Sequence, residues 1–371
     1  MPEPLKNLVN TSLLRSAGAD IKAVHPAFDL DQWEKLVFDD PAFPNLELKQ
    51  RLRHAAITLR PVLPADLKDA LLVVQNTVQH MIAREGEKLT YLYGFLNDFV
   101  EIYALDSPEL AIPAFETITR WCSAEFAVRP FILRYPERMF RQMMLWTEHP
   151  SPMVRRLSSE GFRPRLPWGM GIPDLKKDPA PLLPMLEKLK NDPAETVRRS
   201  VANNLNDIAK DHPEIVLDIV RRWQGISPQT DWLVRHASRG LLKKGNASAL
   251  AHFGFEHGIE GVTVSDLKCD AGVRIGDRFS FSFIIHNKSA ETKAVRLEYT
   301  IEYQSKSGKP SRKTFKIREG NMKAAARETV SRTQRFEDFT IRKHHPGEHR
   351  LFVVLNGKEV ASSVFEVFLQ H

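Results

Sequence analysis

The stretch NDPAETVRRSVANNLNDIAK, residues 191–210, decides the fold. A short polar, turn-prone lead-in ends in Val197-Arg198, and the residues after it read as helix. The same grammar recurs in SAEFAVR (123–129), HPSPMVRR (149–156) and SPQTDWLVR (227–235), with Val-Arg pairs at 128–129, 154–155, 197–198 and 234–235. The steps between the pairs are 26, 43 and 37 residues by subtraction. Irregular recurrence of this kind is the trace of a degenerate array of helical pairs. Such an array presents one long concave face. The four valines are expected to pack between helices, and the arginines beside them to face the groove.

Outward from this stretch, residues 1–250 read as helices broken by turn signals. LELKQRLRHAAITLRPVLP, ADLKDALLVVQNTVQHMIA, KLTYLYGFLNDFVEIYAL, SPELAIPAFETITRWC and RYPERMFRQMMLWTEHP carry apolar residues at helical spacing. Pro108, Pro136, Pro150, Pro193 and Pro213 sit at segment ends or first turns, where a missing N–H costs little. Near residue 250 the pattern changes to strand-like alternation: VTVSDLKC, RFSFSFIIHN, AVRLEYTIEYQ, SRKTFKIRE, ETVSRTQRF, HRLFVVL and ASSVFEVFL. SKSGKP and Asn356-Gly357 supply turns. About seven strands in the last 110 residues predict an immunoglobulin-like sandwich, one without the cysteine pair of antibody domains. The expected domains are 1–250 and 260–371, joined through 246–261.

Length and composition agree with this division, since 371 residues exceed one compact core. No apolar run reaches membrane-spanning length, and MPEPLKNLVNTSLL does not read as a signal peptide. Cys122 and Cys269 alone cannot build a disulfide framework or a cysteine zinc site, and a reducing cytoplasm is the expected location. The net charge of +7 is uneven. Residues 1–119 hold 11 Lys+Arg against 17 Asp+Glu, net −6; residues 120–244 hold 22 against 14, net +8; residues 260–371 hold 20 against 14, net +6. Two basic regions after an acidic one point to a polyanionic partner.

Candidate chemistry concentrates in the helical part. Trp121, Trp146, Trp168, Trp223 and Trp232 lie among the arginines of the basic segment, the raw material of a nucleic-acid surface. In TYLYGFLNDFVEIYAL, Asp98 and Glu101 are three apart on one helix face with Asn97, inside an otherwise apolar helix. A carboxylate there would be desolvated and oriented. In HPSPMVRRLSSEGFRPRLPWGMG, Arg156 and Glu160 share a helix face, and Arg163, Arg165 and Trp168 come next on a proline- and glycine-rich turn. Trp121, Glu125 and Arg129 repeat at steps of four, as do Arg199, Asn203 and Asp207; Asp207 reads as an ordinary exposed acid. Arg198 and Arg199 suit phosphates. Phosphate-loop, dinucleotide and H-E-x-x-H motifs are missing, and the 13 histidines show no metal-ligand spacing. An enzyme built this way would use carboxylates and arginines with no metal or cofactor.

LELKQRLRHAAITLRPVLP, SPELAIPAFETITRWCSAEFAVRPFILRYPE and VRRSVANNLNDIAKDHPEIV resemble the AlkC branch of the AlkC/AlkD alkylpurine DNA glycosylases, over roughly residues 1–245. The resemblance implies a HEAT-like repeat solenoid that grips duplex DNA and excises cationic bases such as 3-methyladenine and 3-methylcytosine without a deep base pocket. One register carries the family's catalytic positions onto Asn97, Glu101, Arg129 and Glu160; a second places them on Trp121 and Glu125. The first matches the longer stretch. It makes Glu101 and Glu160 the expected catalytic carboxylates, with Glu125 in reserve and Asn97, Asp98 and Trp121 near the lesion. Arg129, Arg155, Arg156, Arg163, Arg165, Trp168, Arg198, Arg199 and Asn203 are then the expected DNA contacts, and the basic sandwich is expected to clamp the duplex for a monomeric enzyme. A HEAT-like adaptor and a non-catalytic sensor of damaged DNA are the alternatives.

Overall fold

The computed structural model describes residues 4–306, 308–338 and 343–369; Ser307, within the expected SKSGKP turn, lies outside them. Contacts divide the described chain into two compact units. One runs up to Asp211 and takes in Trp223–Ala237; the other comprises His212–Arg222 and the described residues from Ser238 onward. Sixteen α-helices precede eight strands among the described residues.

The first unit is a helical repeat whose boundaries result from local chemistry. Leu48–Leu59 opens on a capping box, in which the Glu47 side chain takes the backbone N–H of Gln50 and the Gln50 side chain takes that of Glu47. Leu67–Glu85 is capped by Asp66 and stopped by Gly86 at φ +76°, a conformation that favours glycine. Pro108–Ile118, Pro136–Trp146 and Pro152–Glu160 each begin on proline. KLTYLYGFLNDFVEIYAL is helical only over Gly94–Tyr103. Its earlier residues run beside another loop instead, with Lys88 N–H donating to Arg120 O at 3.0 Å and Thr90 N–H to Trp121 O at 3.1 Å. Among the inner pairings, Leu48–Leu59 packs on Gly94–Tyr103, and Glu195–Ile208 packs on both Pro152–Glu160 and Pro228–Ala237. Val128, Val154, Val197 and Val234 are fully buried, as expected of residues that pack between helices. Each such valine contributes roughly 1.5–3 kcal/mol of apolar burial.

The strands are β1 (Val262–Cys269), β2 (Gly272–Arg274), β3 (Arg278–Asn287), β4 (Lys293–Tyr303), β5 (Ser311–Met322), β6 (Arg327–Arg335), β7 (Gly347–Leu355) and β8 (Lys358–Phe368). They form two sheets, β1-β3-β6 and β2-β8-β7-β4-β5. Strand β3 shows why: Phe279, Phe281, Phe283 and Ile285 alternate inward with residues of lower burial between them. They share a core with Leu297 and Ile301 of β4, Leu351 and Val353 of β7, and Phe365 and Val367 of β8. The Phe279 and Phe365 rings stack at 4.0 Å between centroids. The short parallel β2 escaped sequence reading, because three residues carry too little alternation. Within the expected 246–261 linker, Ala247–His252 is helical.

The β7–β8 turn is Asn356 at φ +44° and then Gly357 at φ +80°, as a two-residue hairpin with this pair requires. Asn356 is fully buried and ties the turn to β4: its Oδ1 accepts from Arg296 N at 2.6 Å, and its Nδ2 donates to Ala294 O at 3.1 Å. A Cβ on Gly357 would lie 2.7 Å from the Gly245 Cα. Gly357→Val therefore combines backbone strain with a main-chain clash, and is expected to lower the unfolding free energy by about 2 kcal/mol or more in urea titration. Unchanged stability would contradict this account of the turn.

A candidate active-site cleft in the helical repeat

A cleft of ≈ 450 Å³ opens in the first unit, lined by Lys49, Asn97, Asp98, Glu125, Arg156 and Glu160 among others. Its walls come from the Leu48–Leu59, Gly94–Tyr103, Pro152–Glu160 and Glu195–Ile208 helices, from the loop at 122–127, and from the irregular segment at 163–168.

At its floor lies a chain of alternating charges. Glu125 is 5% exposed; its Oε2 accepts from Ser123 Oγ at 2.7 Å and lies 2.8 Å from Arg156 Nη2. Arg156 Nη1 also donates to Ser123 Oγ at 2.9 Å, and Nη2 lies 3.8 Å from Glu160 Oε1. Glu160 accepts from Arg163 Nη1 at 2.7 Å on Oε1 and from Ser200 Oγ at 2.6 Å on Oε2. Arg163 Nε then reaches Asp207 Oδ2 at 2.9 Å. Burial works against the charges of Arg156 and Arg163, and the carboxylates beside them more than offset it, so both guanidinium pKa values stand above the ordinary value. Glu125 Oε1 has no hydrogen-bond partner among the described residues, whereas both oxygens of Glu160 are engaged. Glu125 thus presents the open carboxylate oxygen, and Glu160 is the brace.

Several expected site residues lie in the cleft: Asn97, Asp98, Glu125, Arg156, Glu160, Arg163, Trp168 and Asn203. Glu101 does not. Three residues beyond Asp98 the helix has turned, and Glu101 Oε1 pairs with Arg53 Nη1 at 2.9 Å instead. The two carboxylates brought together at Arg156 are Glu125 of the second register and Glu160 of the first. Trp121 itself is 4% exposed and packs edge-to-face on Tyr93 behind the cleft. Asp207, expected as an exposed acid, is 1% exposed and belongs to the charge chain.

The arginines of the Val-Arg pairs also need correction. Arg129 is fully buried, and donates to Met170 O at 2.5 Å, Gly161 O at 2.8 Å and Arg163 O at 2.9 Å. Burial, with the neighbouring Arg163 charge, pushes its pKa down to about 10. Arg155 donates to the carbonyls of His149 and Pro150 and forks onto Asp192 at 2.6 and 3.0 Å; Arg198 donates to the carbonyls of Asp192 and Pro193. An arginine at the start of a helix has the preceding loop within reach, and buried carbonyls require donors. These side chains staple loops, and a phosphate has no access to Arg129. Of the other expected DNA contacts, Arg165 is forked onto Asp211 at 2.8 and 3.1 Å, and Arg199 is paired with Glu195 and lies over Trp232. Both keep partial exposure.

Sequence reading missed Lys49, Tyr91, Ser123 and Ser200. Lys49 Nζ donates to Trp168 O at 2.9 Å across 119 residues of sequence, which no local pattern reveals. It holds Trp168 at φ +63° with 66% of the residue exposed, a backbone conformation costly for an aromatic residue. Tyr91, half exposed, has its phenol pKa raised by burial and then by the Glu125 charge. Because Arg129 fastens the segment carrying Arg163 and Trp168, Arg129→Met should cost about 3 kcal/mol in thermal or urea unfolding. A neutral substitution would show that the segment holds its course without it.

The described residues contain no His/Cys/Asp/Glu grouping able to hold a metal, and no helix long and apolar enough to cross a membrane. Residues 182–212 match a HEAT repeat family model, and residues 263–369 match the family model described as "Uncharacterised protein YhaZ, C-terminal Ig-like domain". The protein YhaZ of Bacillus subtilis (strain 168) is 40% identical over 365 residues, which cover 98% of this chain and 99% of YhaZ. Among solved structures, the Pseudomonas fluorescens alkylpurine DNA glycosylase AlkC, bound to DNA containing an abasic site analog, matches with a TM-score of 0.89 at 33% identity, over 99% of this chain and 100% of that one. A HEAT-like helical repeat, an immunoglobulin-like domain and full-length identity at this level place the chain in the AlkC-type alkylpurine DNA glycosylase family.

Proposed function

We propose that this protein is a DNA glycosylase that hydrolyses the N-glycosidic bond of cationic N3-alkylated bases, 3-methyladenine and 3-methylcytosine, in duplex DNA. The observation that carries the reading is the convergence of Glu125 and Glu160 on Arg156 inside one cleft. Its likeness to AlkC, described as bound to DNA containing an abasic site analog, supports it.

A base alkylated at N3 carries a positive charge, so its glycosidic bond already has a good leaving group. Stretching that bond builds oxocarbenium character on the deoxyribose, as in glycoside hydrolysis. A carboxylate fixed nearby stabilises that charge and can orient or deprotonate the attacking water. Glu125 takes both roles through its unengaged Oε1. Arg156 and Ser123 fix its other oxygen, and Glu160 with Arg163 fixes Arg156. No cofactor is required. Outside the charge chain, the exposed cations Arg53, Arg165 and Arg199 meet phosphates, and Trp168 stacks near the opened duplex.

Glu125→Gln is expected to lower single-turnover release of 3-methyladenine from methylated duplex by about 100-fold or more while leaving duplex binding intact. Glu160→Gln, which loosens the brace, should cost less. Full release by Glu125→Gln would remove the carboxylate from the mechanism. Duplex binding by the wild-type protein without any base release would favour a damage sensor.

A further inference from the structure

The proposed chemistry leaves Asn97 and Asp98 unused, although both line the cleft from the Gly94–Tyr103 helix. Both present acceptor oxygens that no donor among the described residues reaches. Asn97 is 3% exposed, and its Nδ2 is committed to the carbonyls of Cys122 at 2.9 Å and Ser123 at 3.2 Å, which leaves Oδ1 buried without a partner. An orphaned buried acceptor is costly unless a ligand or water satisfies it.

Asp98 makes no hydrogen bond or ion pair with another described residue. The charged and titratable groups around it are Lys49 and Arg53 on the Leu48–Leu59 helix, Glu101 on its own helix, and the Cys122 thiol. The two cations are engaged elsewhere: Arg53 pairs with Glu101, and Lys49 holds Trp168 O and lies 4.2 Å from the Phe126 ring centroid. The thiol stays neutral, its pKa pushed up by burial. Among the described residues no donor therefore reaches Asp98 or Asn97 Oδ1, and the two nearby cations stay committed to other partners.

We propose that Asp98, flanked by Asn97 Oδ1, reads the positive charge of the bound nucleotide: together they form a subsite for a cationic alkylated base bearing N–H donors. The proposal rests on the excision reading and names how that site selects its substrate. Undamaged bases offer amino N–H donors without a charge; an alkylated base offers both donors and a positive charge. Burial, then the charge of Glu101, push the Asp98 carboxyl up to about 7, with Arg53 and Lys49 pulling the other way. Ionised Asp98 is thus scarce below neutral pH, and binding a cation favours shedding its proton. Excision of a cationic base should rise as pH increases through that value. The same shift fixes the sign for stability. The folded chain keeps this proton where the unfolded chain has lost it, so Asp98 costs stability as pH rises from about 4 through 7.

The test is single-turnover release of 3-methylcytosine from a duplex oligonucleotide by the wild-type protein and by Asp98→Asn. The wild-type rate constant should rise about fivefold or more between about pH 6 and about pH 8, tracking the ionised fraction of a group with a pKa near 7. The variant should be slow and flat across that range, with unchanged affinity for undamaged duplex. It should also melt higher than wild type at about pH 8, with the gain fading toward about pH 4, which shows that it folds. The proposal is overturned if Asp98→Asn keeps the wild-type rate and slope. It is equally overturned if affinity for undamaged duplex falls in step with the rate, since the residue would then be structural. If the wild-type protein releases no base at either pH, the excision reading itself fails, an outcome separate from the other two.

Discussion

A guanidinium taken out of water has to be surrounded by anions, and the cleft is organised around that requirement at Arg156. Its charge survives burial because Glu125 and Glu160 flank it, and each acid is fixed in turn: Glu125 by its near neighbour Ser123, and Glu160 by Arg163 three residues on and by Ser200, which only tertiary packing brings. Removing one member of such a buried set strands a charge, at about 3–5 kcal/mol. The same arrangement leaves one carboxylate oxygen, Glu125 Oε1, with no partner among the described residues, so the brace and the proposed chemistry are two consequences of one set of contacts. Ion pairs in a dry site are poor stabilisers compared with apolar packing of the same volume. Their retention here is intelligible if the positioned charge is what the site is for.

The repeat itself solves a different problem. Arg155 and Arg198 both donate to the two carbonyls five and six residues before them, and Arg155 also forks onto Asp192 at the head of the next Val-Arg segment. One residue type thus closes its own loop and ties it to the next one. Arg129 performs the related task for the segment at 161–170. The result is a rigid frame on which the less regular 163–168 segment can hold Trp168 in an unfavourable backbone conformation.

Architecture was legible in the sequence because it rests on periodicity. The strand β3 coincides with RFSFSFIIHN, the four valines are buried, and Asn356-Gly357 is the hairpin turn its residues call for. The site was legible only in part. Glu125, Arg156 and Glu160 do lie together in the cleft, whereas Glu101, expected beside Glu160 because an acid in an apolar helix looks desolvated wherever it sits, does not. Three residues along a helix amount to about 60° of rotation, enough to send Glu101 to Arg53 and leave Asp98 in the cleft. The direction of Arg129, Arg155 and Arg198 differs from the expected one for a related reason. A basic residue after a polar turn suits a phosphate and a loop carbonyl equally well, and sequence contains nothing to separate them. Contacts such as Ser123 to Arg156 span 33 residues and leave no local trace.

In the proposed mechanism Arg156 acts through the Glu125 carboxylate. A double-mutant cycle tests it most directly, with single-turnover release of 3-methyladenine measured for the wild-type protein, Glu125→Gln, Arg156→Met and the pair. If the two residues form one functional unit, the double variant should be no slower than Glu125→Gln alone, because the arginine has nothing left to position. Losses that multiply would mean that each residue contributes independently and that Arg156 does not act through Glu125.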